Sequence, residues 1–313
     1  MKHAWAVVLA GLLPDLGACG GSSGTEDTAA VDASGQATAS SGPGTCRLFF
    51  TLDPTTGQGK KTLRSAVSSD GFTFTIEEET WSDAAMADPA VRRGKDNVWR
   101  VAFCAVGGNG VLGIGFASHA ETPFFPAADL IFSGDYQYPD FLEMDDGWRM
   151  YFGHEGIGSA FSQDGLTYEP ESGKRLAENP PGMAMSADPT VARRKDGSYV
   201  MYYKCAPPLS ESDGTPYSHV IYRAFSGDGL NWTPENQPLV EHASVPGATT
   251  DASGRVWVYF LYFGDGWPGK KETIWAAYEN DDGSLSSPKA VEFVGGVPGG
   301  YWTNNPSPML LSE

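Results

Sequence analysis

The sequence repeats itself at intervals of roughly 50 residues, and this repeat limits the possible folds more than any other feature. The two clearest copies begin at Ala87-Asp88-Pro89 and at Ala187-Asp188-Pro189. Fainter copies begin near Pro139, Pro246 and Asn305. A repeat of this length with strand-like content is typical of a β-propeller, in which each repeat forms one blade.

Each repeat carries the same order of local signals. The Asp-Pro pair or its variant is followed by a short apolar stretch, a polar turn such as Lys195-Asp196-Gly197, and an aromatic and aliphatic run. Such runs between turn residues favour strands over helices. They start at Trp99, Trp148, Tyr199 and Val256. We predict an all-β fold over residues 45–313, a five-bladed β-propeller of four-stranded antiparallel blades. Thr45–Thr51 is predicted to add a strand to the last blade and so close the ring.

A Ser-x-Asp-Gly turn followed by an aromatic residue occurs three times. The copies are Ser68–Phe74, Ser162–Tyr168 and Ser226–Trp232. We expect each Asp to accept hydrogen bonds from backbone amides, each Gly to take a positive φ, and each aromatic ring to pack on its blade. The turn resembles the Asp-box of sialidases, which is a folding device there, so Asp70, Asp164 and Asp228 are predicted to be structural.

The first 44 residues are predicted to lie outside the propeller. The apolar run Ala4–Leu13 is too short to span a bilayer and is typical of an export signal. Leu16-Gly17-Ala18-Cys19 is similar to a bacterial lipobox, so we predict a signal peptide over residues 1–18 and lipidation of Cys19. Residues 19–44 are rich in Gly, Ser and Thr and are predicted to form a flexible tether. The expected location is the outer membrane or cell surface by the lipid anchor alone, with a secreted protein as the alternative.

Net charge and cysteine content limit the ligands and partners that the protein could bind. The formal net charge of −18 excludes nucleic acid, because a polyanion would be repelled. Cys46, Cys104 and Cys205 have no metal-site spacing, and we expect small buried core residues, with one disulfide possible. The protein is expected to be a monomer without a cofactor or metal, although a structural calcium ion in the channel is possible.

Propeller topology brings certain loops to one face. If each Asp-Pro pair opens an innermost strand, then Asp88, Tyr138, Asp188, Ser244–Val245 and Asn305 surround the central channel. Loops containing His154-Glu155 and Trp267 are predicted on the same face. So are several aromatic residues that could stack on sugar rings, namely Tyr136, Tyr138, Tyr217, Trp267, Tyr301 and Trp302.

These features resemble the five-bladed propellers of the arabinanase, levansucrase and invertase superfamily, and most of all the family 43 glycoside hydrolases. The resemblance rests on the Asp-Pro strand starts, the Asp145-Asp146-Gly147 turn and the Ile157–Gly165 segment. It implies an inverting mechanism with a base Asp, a second Asp that orients substrate and tunes pKa, and a general acid Glu. Asp88 matches the base and Asp188 the tuning residue.

The general acid departs from this pattern, because Ser244 or Val245 occupies the position where the family places Glu. Glu155 is the first candidate to replace it, followed by Glu241 and Asp140. The residues predicted to bind substrate are Tyr138, Asp140, His154, Glu241, Trp267 and Asn305.

The sequence therefore predicts a glycoside hydrolase that acts on plant or microbial polysaccharide or oligosaccharide. The family analogy suggests arabinofuranosyl or xylosyl linkages. The alternative is a non-catalytic glycan-binding surface lipoprotein that has lost the general acid. A sialidase is disfavoured, because Arg92, Arg93, Arg193 and Arg194 lie at equivalent repeat positions, as structural residues do.

Overall fold

The computed structural model describes residues 46–55, 61–84, 86–107, 110–119, 125, 130–209, 215–264 and 273–310. The predicted signal peptide, Cys19, the tether and Trp267 lie outside these residues.

The described chain is built almost entirely of antiparallel strands in five sheets. It begins with β1 (Cys46–Pro54), β2 (Thr62–Ser68) and β3 (Thr73–Ser82). Blade 1 contains β4 (Ala87–Arg93), β5 (Trp99–Val106), β6 (Leu112–His119) and β7 (Leu130–Ser133). Blade 2 contains β8 (Gln137–Glu143), β9 (Trp148–Gly153), β10 (Ile157–Ser162) and β11 (Glu169–Pro170).

The remaining strands complete the ring. Blade 3 contains β12 (Met185–Arg193), β13 (Tyr199–Ala206), a 3₁₀ turn (Pro216–Ser218), β14 (Val220–Ser226), β15 (Thr233–Pro234) and β16 (Val240–Glu241). Blade 4 contains β17 (Ala243–Thr250), β18 (Val256–Tyr262), β19 (Thr273–Tyr278) and β20 (Lys289–Ala290). The last strands are β21 (Glu292–Phe293) and β22 (Tyr301–Leu310).

Blade 5 joins the two ends of the described chain. Its sheet has the order β21-β3-β2-β1-β22, so β1 lies between β2 and β22 and is hydrogen-bonded to both. Only β21 departs from the antiparallel pattern, since it pairs with β3 in parallel. The prediction of five blades closed by the segment after residue 45 is therefore confirmed.

The apolar core lies between neighbouring blades. Val200 and Tyr202 of blade 3 pack with Val258 and Phe260 of blade 4 in one buried cluster. The other blade pairs are joined by similar clusters. The aromatic strand runs of the sequence thus bury one face of each blade against the next, which is why no blade is an independent unit.

The innermost strand of every blade contains a β-bulge at the residue before a proline. The register of each strand pair shifts there, and the bulged residue takes a positive φ. The five residues are Asp88 (φ 48), Tyr138 (φ 55), Asp188 (φ 49), Val245 (φ 49) and Asn305 (φ 52). Bulges re-aim side chains, and here they do so at five equivalent positions.

The three Ser-x-Asp-Gly turns make the predicted hydrogen bonds. Asp70 Oδ1 accepts from the backbone amides of Phe72 and Thr73 at 2.8 and 2.7 Å, and Asp164 and Asp228 make the same pair of contacts. Glycine follows at φ between 69 and 79° in all three turns. These aspartates therefore stabilise turns, as expected.

Two other sequence expectations concern the core and the membrane. Cys46, Cys104 and Cys205 are buried and form no disulfide, and Cys46 and Cys205 belong to the apolar core as expected. Within the described ranges, no helix has the length and apolar character needed to cross a bilayer.

Candidate functional site

The five bulged residues meet at one mouth of the central channel. A recess there is lined by Asp88, Tyr138, Asp188, Val245 and Asn305, together with the proline after each and several residues beyond. Because the bulge turns the side chain of each blade toward the axis, chemistry that is distant in sequence is gathered in one place. The five residues predicted to surround the channel from repeat topology are thus brought together.

Asp188 is the most buried carboxylate of the recess, with 4% of its side chain exposed. The ammonium of Lys204 on β13 lies 2.7 Å from Asp188 Oδ2 and is itself 7% exposed. The contact is a buried ion pair, and it leaves Asp188 Oδ1 without a hydrogen-bond donor. A buried carboxylate with unused acceptor positions is costly, and here it faces a recess that a ligand hydroxyl could enter.

Asp88 differs from Asp188 in its electrostatic surroundings. Burial of its carboxyl group, followed by the negative charge of Asp188, raises the pKa of Asp88 to about 6. Lys204, Lys61 and a hydrogen bond with the Cys104 thiol act in the opposite direction. Asp88 is therefore ionised at neutral pH but basic enough to take a proton, as a general base must be.

Tyr138 contacts one neighbour of each aspartate, Cys104 beside Asp88 and Lys204 beside Asp188. Its backbone N–H donates to Cys104 Sγ at 2.9 Å, and its ring lies 4.7 Å from the Lys204 ammonium in a cation–π contact. Burial, then the charges of Asp188 and Asp88, raise the pKa of the Tyr138 phenol well above its usual value. The phenol therefore stays protonated and can donate a hydrogen bond.

A second ring of residues lies opposite the bulges, on the next strand of each blade. Its members pair with the residue that precedes each bulge, and they are Cys104, Gly153, Lys204, Leu261 and Thr51. Sequence reasoning missed Cys104 and Lys204 as site residues. The available signal was a lysine within the apolar strand Tyr199–Ala206, at the repeat position of Cys104.

Asp140 also lines the recess, but its oxygens are already engaged. Oδ1 receives Arg92 at 2.6 Å, and Oδ2 receives the Thr190 hydroxyl at 2.8 Å and the Val191 amide at 3.0 Å. Arg92 lies on blade 1 and Thr190 on blade 3, so Asp140 joins three blades. These contacts favour a structural role for Asp140 over direct contact with a sugar.

Asn305 at the mouth and His219 on the way into β14 each make a side-chain hydrogen bond to a neighbouring strand. The Asn305 amide donates to Thr51 Oγ1 at 3.3 Å. His219 shares a hydrogen bond of 3.0 Å with the Ser244 hydroxyl, and burial, then the charge of Lys204, lower the pKa of His219 to about 3. His219 is therefore neutral, and the positive charges that act on Asp88 are those of Lys204 and Lys61.

Glu155 does not line the recess. It is exposed in the His154-Glu155-Gly156 turn after β9, with φ 49°. His154 stacks on Tyr136 with 4.2 Å between ring centroids, so both rings support the turn. Since β9 ends at Gly153 beside Tyr138, the turn lies next to the mouth.

Glu241 lies away from the mouth as well, on β16 at the outer side of blade 3. Tyr217 stacks on His242 at 3.8 Å, while Tyr301 and Trp302 begin β22. Three of the four arginines at repeat positions bind carboxylates on neighbouring blades, in the pairs Arg92–Asp140, Arg193–Asp145 and Arg194–Glu279.

The recess is a poor fit for a calcium ion. Among the described residues, no three His, Cys, Asp or Glu side chains are grouped as metal ligands. Lys204 also occupies the position beside Asp188 where a cation would have to lie.

Comparison with known proteins identifies the fold. No protein-family model matches the sequence, and none of the curated proteins matches it. Solved structures do. An endo-1,4-β-xylanase from Bacteroides thetaiotaomicron matches 79% of this chain and 92% of its own, with a TM-score of 0.57 and 14% identity. An endo-arabinase from the same organism matches 73% and 88%, with a TM-score of 0.52 and 14% identity.

A sucrose-6-phosphate hydrolase from Lactobacillus gasseri matches 79% of this chain and 58% of its own, with a TM-score of 0.58 and 14% identity. The chain has the fold of the five-bladed glycoside hydrolase propellers. Such a fold hosts several activities, so the chemistry has to be argued from the residues at the mouth.

Proposed function

We propose that the protein is a glycoside hydrolase that binds a sugar at the channel mouth and cleaves its glycosidic bond with inversion. The observation that carries the proposal is the pair Asp88 and Asp188 on equivalent bulges. The pKa of Asp88 is raised to about 6, and Asp188 pairs with Lys204 through Oδ2 while its Oδ1 accepts no hydrogen bond. Asp188 and the Tyr138 phenol would bind sugar hydroxyls, while Asp88 faces the same recess.

In the proposed reaction Asp88 removes a proton from water as the water oxygen attacks the anomeric carbon. The bond from that carbon to the leaving oxygen breaks, and a general acid protonates that oxygen. Asp188 holds the sugar, and its charge keeps Asp88 basic. Glu155 is proposed as the general acid, because it lies on the turn that follows the Gly153 end of β9. An inverting pair requires roughly 6.5–9.5 Å between the base and the acid.

The substrate is proposed to be a polysaccharide or oligosaccharide with arabinofuranosyl or xylosyl linkages, as the structural likeness to a xylanase and an arabinase supports. Export and lipidation at Cys19 belong to the same proposal, since such polymers are met outside the cell.

The second candidate is a non-catalytic glycan-binding protein. Val245 favours it, because an apolar residue occupies the rim position of blade 4 and Asp140 is held by Arg92. Only Asp88 and Asp188 among the lining residues then offer carboxylates to a ligand.

The test is to incubate the full-length protein with nitrophenyl α-L-arabinofuranoside, nitrophenyl β-D-xyloside, arabinan and xylan. Asp88→Asn, Asp188→Asn and Glu155→Gln are assayed alongside. Sugar release by wild type and none by Asp88→Asn would support the hydrolase. Glu155→Gln should slow polysaccharide cleavage far more than nitrophenyl glycoside cleavage, because nitrophenolate leaves without protonation.

Two other outcomes decide against hydrolysis. Binding of a glycan that Asp188→Asn weakens, with no sugar released, would support the binding protein. Neither release nor binding across the panel would overturn both functions.

A further inference from the structure

A groove separate from the channel mouth lies on the outer side of the propeller, between blades 3 and 4. Its volume is about 570 Å³, within the range of small-molecule sites. It is lined by Glu241 and His242 from the end of blade 3 and its junction with blade 4, and by Tyr262, Trp275 and Ser286 of blade 4. None of these residues lines the recess of Asp88 and Asp188.

The groove has the chemistry of a sugar site. The Tyr262 and Trp275 rings lie 4.7 Å apart at 54°, so together they form a bent aromatic surface, and both are half-buried. Apolar sugar faces pack on such rings, while a carboxylate and hydroxyls bind sugar hydroxyls. Glu241 is exposed and Ser286 half-buried along the same groove, so hydrogen-bonding groups flank the aromatic surface.

The groove and the mouth are close to each other along the chain. His242 precedes the first residue of β17 and lies three residues before the bulge at Val245, so the two are at most about 10 Å apart. His242 is held in place by stacking on Tyr217 and by a 2.7 Å hydrogen bond between Nδ1 and the Tyr217 carbonyl. A single extended glycan could therefore reach from the recess to the groove.

Charge selects among glycans. The protein has a net charge of −18, and the carboxylate on the groove wall is Glu241. A polymer of uronic acids would meet repulsion over the whole surface, whereas a neutral glycan would not.

We infer that this groove is a second glycan-binding site, which holds a neutral oligosaccharide segment of the polymer whose end enters the mouth. The inference rests on the proposed carbohydrate function, but it concerns different residues. It also gives Glu241 a place in binding that is remote from the reaction.

The experiment measures binding of the full-length protein to arabinoxylan, arabinan, levan and polygalacturonate by affinity electrophoresis and calorimetry. Trp275→Ala should weaken binding to at least one neutral polymer by about tenfold or more, as loss of a central aromatic contact does. Ser287→Arg, a surface change at the groove edge, should weaken it without opening a cavity. Polygalacturonate should not bind.

Two controls separate this inference from the proposed function. Trp232→Ala removes an equally half-buried tryptophan from a turn of blade 3 outside the groove and should leave glycan affinity unchanged. Asp88→Asn should abolish catalysis and keep polymer binding, while the groove variants should still cleave nitrophenyl glycosides.

Glycan affinity that neither groove variant alters, or no binding to any of the three neutral polymers, would overturn the second site even if nitrophenyl glycosides are cleaved. If polygalacturonate binds as tightly as the neutral polymers or more tightly, the inference that the ligand is neutral is overturned. Glycan binding that depends on Trp275, with no cleavage of any substrate, would overturn the proposed hydrolase activity and support the second glycan site.

Discussion

At the scale of single residues, the mouth shows a conflict between stability and function. Asp88 and Asp188 repel each other in a buried recess, and Lys204 compensates only part of that repulsion. Val245 adds strain, because a β-branched residue at φ 49° is an outlier for the left-handed region. Unfavourable groups held by their surroundings are common where a ligand binds.

The raised pKa of Asp88 predicts how stability depends on pH. The folded state holds a proton up to about pH 6, whereas the unfolded chain releases it near 3.8, so the folded state binds more protons between these values. Stability must then fall as pH rises through this window. Asp88→Asn cannot ionise, and we expect it to be more stable than wild type at pH 7.5, by up to about 3 kcal/mol.

Urea unfolding of both proteins at pH 4, 5, 6 and 7.5 checks this prediction. The difference in unfolding free energy should grow between pH 4 and 6 and then level off. In an Asp188→Asn background the same comparison should give a smaller gain, because burial still raises the pKa of Asp88 but the charge of Asp188 no longer does. A difference independent of pH would contradict the prediction.

Sequence reasoning located some site residues and missed others for a physical reason. Asp88, Asp188 and Asn305 could be placed because a repeat fixes equivalent positions around a ring. Lys204 could not, since its role depends on facing Asp188 across a strand pair. Asp140 was predicted to bind substrate, yet it lies where the next blades supply donors to both of its oxygens.

At the scale of elements, the innermost strands are joined by a belt of side chains two residues after each bulge. In three blades this side chain accepts from a backbone amide of the next blade. The pairs are Asp140 with Val191, Thr190 with Ala248, and Ser307 with Val91. Ala90 and Gly247 occupy the other two positions and provide no acceptor, so the belt covers three of five junctions.

The belt predicts that Asp140→Asn destabilises the protein strongly. Arg92 would keep its charge inside the channel with its ion pair lost, and breaking such a buried pair costs about 3–5 kcal/mol. Asp145→Asn is the matched control, because Asp145 lies in the turn after β8 and pairs with Arg193 of the neighbouring blade in solvent. It should change the unfolding free energy little or not at all.

Thermal and urea unfolding of the two variants measure the contrast. Equal, small losses would mean that Asp140 is not a junction, and its predicted role in substrate binding would regain support. The sequence places Asp140 in an apolar stretch and Asp145 in a polar turn, but it does not show which arginine pairs with each. The structure separates the two pairs by burial, since Asp140 is 7% exposed and Asp145 is 74% exposed.

At the scale of the whole molecule, the ring is closed by hydrogen bonds between the two ends of the described chain. Strand β1 fills the middle of blade 5, and its partner β22 carries Asn305 into the mouth. Five-fold closure could be predicted because the repeat leaves one blade short of a strand. The outer groove could not be predicted, since it depends on how blades 3 and 4 diverge.

Ring closure predicts that a substitution that destabilises blade 5 lowers the stability of every blade. Leu48 on β1 is fully buried, and Leu48→Ala should cost about 2–5 kcal/mol. Hydrogen exchange followed by mass spectrometry should show the amides of β4, β8, β12, β17 and β22 losing protection by the same amount, because an opened ring exposes every inter-blade core. Leu209→Ala, at a side chain that is 77% exposed, should change none of them. Loss of protection confined to β22 and its neighbours would mean instead that blade 5 opens by itself, in which case the mouth could lose Asn305 while Asp88 and Asp188 stay in place.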